Sequence, residues 1–210
     1  MSKLDYERDG DAIYRQSFAI IRAEADLSRF AGTAERIVVR MIHASGMIDL
    51  PQDVAMSASF AEVATRALRA GAMIFCDSEM VANGITRGRL PASNPVVCTL
   101  NYRQVPSLAK SLQTTRSAAA LELWRDRLAG ALVVIGNAPT ALFRLIEILD
   151  EVERRPAAVI GVPVGFVGAA ESKEALAADA RGVPYLLVRG RIGGSAMTAA
   201  AVNALARAGL

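Results

Sequence analysis

The amino-acid sequence predicts an α/β fold: one three-layer domain whose mostly parallel, five-stranded sheet carries helices on both faces. Three observations lead there. At 210 residues the chain suits one domain and leaves little room for a second. Short apolar runs alternate along it with amphipathic stretches of helical period. The apolar runs are continuous rather than alternating, as in strands covered on both faces of a parallel sheet.

Two helices come first, at about 11–24 and 33–45. In IYRQSFAIIRAE (13–24), Tyr14, Phe18 and Ile21 form an apolar stripe, with Ser17 at its edge and Arg15 on the polar side. In ERIVVRMIHASGM (35–47), Ile37, Met41 and Ala44 form a stripe with Val38 and Ile42 beside it. Arg36, Arg40 and His43 fall at i, i+4 and i+7 on the opposite, polar face. The strands are AMIF (72–75), VVCTL (96–100), ALVVIG (131–136), AAVIGV (157–162) and YLLV (185–188), each near the usual length of about five residues. Helical patterns cover 58–70, 104–112, 115–129, 139–152, 171–181 and 195–208. The pattern does not give the strand order. Ligands in such sheets bind beyond the carboxyl ends of the strands. Any site should therefore draw on CDSEMVANGITRGR (76–89), GNAPTAL (136–142), GVPVGFVGAAESK (161–173) and RGRIGGSAMT (189–198), all rich in glycine or small polar residues.

Composition narrows the function classes. The chain is 52% hydrophobic with mean hydropathy +0.28, yet no window holds the ~18 uninterrupted apolar residues of a membrane span. The excess lies in alanine and short Val/Ile/Leu runs, which suits a buried sheet or a sizeable subunit interface. The segment MSKLDYERDGDAIYR is too charged for a secretory signal, so the expected location is cytoplasmic. A net charge of +3 is too mild to point to nucleic acid. Lys3, Lys110 and Lys173 are the only lysines, so 21 of the 24 basic residues are arginine. That bias fits GC-rich coding, and it equally fits a ligand whose carboxylates or phosphates guanidinium forks would grip.

Cys76, Cys98 and His43 are the only cysteines and histidine, and no CxxC, HExxH or His/Cys cluster occurs, so no zinc site is expected. The two cysteines read as reduced core thiols. No GxSxG elbow, GxGxxG or Walker motif occurs, which leaves nucleotide binding and triad hydrolysis without support.

His43 lies one turn from Arg40, and a nearby positive charge biases an imidazole toward its neutral form, which can take and give a proton. The same pattern also suits a plain surface face with incidental basic residues. Pro139 fits a first helical turn, and Asn137 stands where its side-chain oxygen could cap free N–H groups of a helix start able to receive an anion; an ordinary capped turn reads the same way. In RGRIGGSAMT, Arg189 and Arg191 flank Gly193-Gly194, and Ser195 opens the last helix by the same logic. Arg116, in TTRSAAALELW (114–124), opposes the dipole at its helix start and mildly favours an anionic partner there.

IYRQSFAIIRAE, RMIHASGM, CDSEMVANGI, GNAPTAL, GVPVGFVGAAESK and RGRIGGSAMTAA, in this order over nearly the whole chain, resemble the precorrin-8X methylmutase family of cobalamin biosynthesis. PVGFVGAAESK with RMIHASG and GNAPTAL is the specific set. The resemblance implies a flavodoxin-like domain working as a homodimer, with a tetrapyrrole held near the subunit interface. It also implies contact with neighbouring enzymes of the pathway. The reaction it implies is an isomerisation, a methyl shift from C-11 to C-12 of precorrin-8X giving hydrogenobyrinate, without an added cofactor or a protein-held metal. On this resemblance His43 is the catalytic histidine. Ser17, Arg40, Arg116 and Asn137 contact substrate, and Arg15 is a lesser candidate.

ASGMIDL, with Met47 and Asp49 after the histidine motif, looks more like the oxygen-dependent, metal-free branch than the branch whose substrate, cobalt-precorrin-8, already carries cobalt. Two rivals from other classes are a non-catalytic corrinoid carrier and an unrelated flavodoxin-like enzyme or FMN binder. The first would bind without turnover, and the second would show a flavin spectrum.

Overall fold

The computed structural model describes residues 4–206. The chain opens with α1 (Gly10–Glu24) and α2 (Thr33–Ser45). Asp9 caps α1 by accepting the Asp11 N–H at 2.9 Å. Gly46, at φ 71°, ends α2 in a left-handed turn that a side chain would strain, and donates its N–H to Ile42. There follow α3 (Leu50–Asp53), β1 (Val54–Met56), α4 (Phe60–Arg69), β2 (Ile74–Cys76), α5 (Glu79–Gly84) and β3 (Val96–Cys98). Next come α6 (Val105–Ser111), α7 (Arg116–Leu121), β4 (Leu132–Ile135), α8 (Pro139–Glu151), β5 (Ala158–Gly161), α9 (Ala169–Ala178), β6 (Tyr185–Val188) and α10 (Ser195–Ala206). Residues 207–208, expected in the last helix, lie outside the described part.

The sheet has six strands rather than five, in the order β1-β6-β5-β4-β2-β3. The added strand, β1, runs antiparallel on the edge, pairing Val54 with Val188 and Met56 with Leu186. Three residues within DVAMS make no apolar run of their own; the strand exists because the free edge of β6 supplies its partners. The other pairings are all parallel. Counted over the parallel strands alone, the order is the flavodoxin-like 2-1-3-4-5, whose switch point lies between the first and third, here β2 and β4.

Alternate residues of each strand feed two cores. Ile74, Leu132, Val134, Ile160 and Leu186 pack against α1, α2, α4, α5 and α10. Phe75, Val133, Ile135, Val159 and Leu187 pack against α7, α8 and α9. α10 is apolar nearly all round and buried except at Ala196, as a helix enclosed by the sheet and its neighbours must be. Because α10 packs on α2, α2 also buries Val39, beyond its expected stripe.

The stretch 115–129 is not one helix. After α7 it tightens into a 3₁₀ turn over Glu122–Arg127. There Trp124 stacks on Phe75 at 5.1 Å and its indole N–H donates to Thr99 Oγ1 at 2.8 Å. Cys76 and Cys98 face each other in register on neighbouring strands as free thiols. Burial pushes Cys98 up to about 11 and Cys76 further, so both stay protonated at neutral pH.

Candidate active site

His43 occupies the last turn of α2 and opens into a pocket of about 270 Å³, lined also by Tyr14, Arg40, Gly84, Ala199 and Asn203. Ser17 Oγ, across on α1, hydrogen-bonds His43 Nδ1 at 2.8 Å. The Tyr14 ring tilts over the imidazole at 5.3 Å and Phe18 meets it edge-on at 5.4 Å. Tyr14, Ser17 and Phe18 stand at i, i+3 and i+4, so one face of α1 presents all three. The Arg40 guanidinium lies 5.5 Å from the Tyr14 centroid and 5.8 Å from that of Phe18. Burial, and then the charge on Arg40, hold the His43 imidazole below its ordinary value of 6.5. The arrangement offers a neutral imidazole with one nitrogen engaged.

A second cavity, about 660 Å³, shares Ala44 and Ala196 with the histidine pocket, so the two adjoin over the first turn of α10 and together outline a trough. Met47, just past α2, and Met80, in the first turn of α5, line it; Asn137, Phe166 and Arg191 line its far end, on the loops that leave the carboxyl ends of β4, β5 and β6. On the other side of Arg40 a hollow of about 390 Å³ is lined by Arg15, Phe18, Arg22 and Arg36.

Residues 12–208 match the precorrin-8X methylmutase family. The chain belongs to that family. A precorrin-8X methylmutase of Sinorhizobium sp is 60% identical over 210 residues, covering 100% of both chains. That of Pseudomonas aeruginosa is 62% identical over 203 residues, 97% of this chain and 98% of its own. A crystal structure of the precorrin-8X methylmutase from Thermus thermophilus has a TM-score of 0.83 at 37% identity, covering 93% of this chain and 96% of that one. Membership in a methylmutase family makes the chain an isomerase.

In this family member Ser17, Arg40 and His43 lie together. Arg15 faces the adjoining hollow that Arg40 also lines, and pairs loosely with Asp9 at 3.8 Å. Asn137 lines the far end of the trough. The capping role expected of its side chain is not what the structure has. The N-cap of α8 is Ala138, without a side-chain cap. The acceptor is Asp77, whose carboxylate takes the N–H groups of Gly136, Asn137 and Ala138 at 2.9, 3.0 and 2.8 Å. The acceptor at this turn is thus one of the protein's own side chains. Arg116 is not part of the histidine cluster: its guanidinium donates to the Leu100 carbonyl at 3.2 Å and Asn101 Oδ1 at 3.1 Å. A Thr115–Thr140 hydroxyl contact of 2.8 Å ties the starts of α7 and α8 together, so Arg116 stays at the same end of the sheet as Asn137.

Sequence reasoning took Tyr14 and Phe18 for core and passed over Asn203. Asn203 Oδ1 accepts the Thr86 N–H at 2.8 Å and its Nδ2 donates to Gly84 at 2.9 Å, fixing the α5 end beside the histidine. The shared helical face of Tyr14, Phe18 and Ser17 was an available signal for the rings. Nothing local marked Asn203.

Proposed function

We propose that this chain catalyses the methylmutase reaction on precorrin-8X, moving a methyl group from C-11 to C-12 to give hydrogenobyrinate, with His43 as its proton carrier. The observation that carries the reading is the 2.8 Å Ser17–His43 bond inside a ring of Tyr14, Phe18 and Arg40. With Nδ1 engaged by Ser17, proton exchange with a ligand falls to Nε2. A neutral imidazole there takes a proton from, or lends one to, a ring nitrogen or carbon and so selects the tautomer that rearranges. Substrate and product are isomers, so the proton is returned and no electron leaves. The migration is a sigmatropic shift, and the protein serves it by holding the ring in place.

Arg40 and Arg15 near the histidine, with Arg116 and Asn137 at the sheet end, receive the acetate and propionate side chains. The names of the two relatives at 60% and 62% identity support the metal-free substrate over cobalt-precorrin-8. The working form is a cytoplasmic homodimer with the trough near the interface, in passing contact with neighbouring pathway enzymes. Support for the dimer comes from Ile13, Tyr14 and Ile20, exposed together on α1. Sedimentation as a 22 kDa monomer at micromolar concentration would remove it.

The deciding experiment incubates purified protein with precorrin-8X and follows the visible spectrum of hydrogenobyrinate. The native chain turns substrate over. H43N binds product but barely isomerises precorrin-8X. Binding without turnover by the native chain would make the protein a carrier.

A further inference from the structure

Phe166 lies between β5 and α9 and is 83% exposed. An aromatic side chain left in water forgoes a large burial gain, and here the backbone holds it there. Gly165 donates to the Arg191 carbonyl at 3.3 Å and Gly194 to that of Val162 at 2.9 Å. The two loops lie so close that a Cβ on Gly193 would strike the carbonyl oxygens of Val162 and Pro163. Lys173, fully buried, donates to the Ile192 carbonyl at 2.7 Å and pins the second loop from beneath. The ring is therefore presented by a braced support. The Arg191 guanidinium sits 5.2 Å from its centroid, and both residues line the far end of the trough that begins at His43. Met80 and Val164, 72% and 44% exposed, line the same cavity.

We propose that Phe166, backed by Arg191, is the platform on which one face of the conjugated macrocycle rests. The inference rests on the tetrapyrrole reading above and assigns a part of the trough that reading left without a role. A macrocycle with carboxylates at its edge presents a broad apolar face and an anionic rim. The trough answers with an exposed aromatic and apolar side chains at one end, an arginine directly behind them, and a proton carrier at the other.

The test compares native protein, F166A and F166W for hydrogenobyrinate binding by absorbance titration and for steady-state turnover of precorrin-8X. Stacking on an aromatic face predicts that F166A raises the product Kd and the KM about tenfold. Its kcat stays within about twofold and its pH profile is unchanged, because His43 is untouched. F166W recovers affinity, and its indole fluorescence is quenched by bound corrinoid. F166A with native affinity overturns the proposal while leaving the tetrapyrrole reading intact. So does F166A becoming a monomer where the native protein is a dimer, since Phe166 would then belong to the subunit contact. A native chain that binds no hydrogenobyrinate sinks the parent reading and this one with it.

Discussion

Asp77, the residue after β2, accepts the backbone N–H of Asn137, which follows β4, so one buried side chain fastens the two strands at the point where the strand order reverses. Its two oxygens also take the N–H groups of Gly136 and Ala138. Burial pushes the carboxyl above its ordinary range, and these three donors offset only part of that.

Asp77→Ala should therefore be among the costlier single changes in the chain. It leaves three N–H groups at the switch point without their acceptor, at about 1–3 kcal/mol for each one that water does not reach. The expected loss is about 3 kcal/mol by urea unfolding, with Asp77→Asn in between because it keeps one acceptor oxygen. An unchanged midpoint for D77A would mean that water replaces the carboxylate fully.

The same carboxylate shows where sequence reading stopped. GNAPTAL announced a strand-to-helix turn with amides to satisfy, and that was correct. It did not say that the acceptor sits about sixty residues away, just past β2, since a lone Asp in CDSEM carries no mark of its future partners. Strands buried on both faces were legible because their apolar runs are continuous. β1 was not, because its three residues become a strand only against β6. At the site, Arg40 and His43 share one helix face, which spacing reveals. The Ser17–His43 bond joins two helices, and Phe166 faces the cavity only because two distant loops are laced together.

Ser17→Ala removes the partner of His43 Nδ1 and leaves Tyr14 and Phe18 in place. One net hydrogen bond of about 1 kcal/mol predicts a drop of about fivefold in kcat, with product binding little changed. Ser17→Thr keeps the hydroxyl and should recover part of the rate. A kcat for S17A equal to native would leave the bond without a role in catalysis.

Arg40 and Arg116 can be told apart. Alanine at either position should weaken hydrogenobyrinate binding by about 1.5–3 kcal/mol, as for other hydrogen bonds to charged groups. Only R40A should also move the pH profile, because Arg40 is one of the two causes that depress His43. Its acid limb should shift upward toward 6.5, while that of R116A stays with the native protein. Native affinity in R116A would show that Leu100 and Asn101 are the whole purpose of that guanidinium.

The pH dependence of the native rate tests the protonation state of His43 itself. Burial and Arg40 both disfavour the imidazolium, so the folded-state value lies below 6.5. For a base depressed in this way the neutral form persists as pH falls through 6.5, and the charged form takes over only below the folded value. The rate should accordingly stay level from pH 8 to about 6.5 and decline below that. Over the same range the unfolded chain takes up a proton that the folded one refuses, so folding stability should also begin to fall. Because the chain has a single histidine, one imidazole signal in a proton NMR titration reports the value directly, and it should coincide with the kinetic limb. H43N should lose about 10²–10⁴-fold in rate, as expected when a proton carrier is removed, and what remains should lack the limb. A native limb at or above 6.5, or an H43N variant retaining it, would assign the titration to another group and take the proton step away from His43.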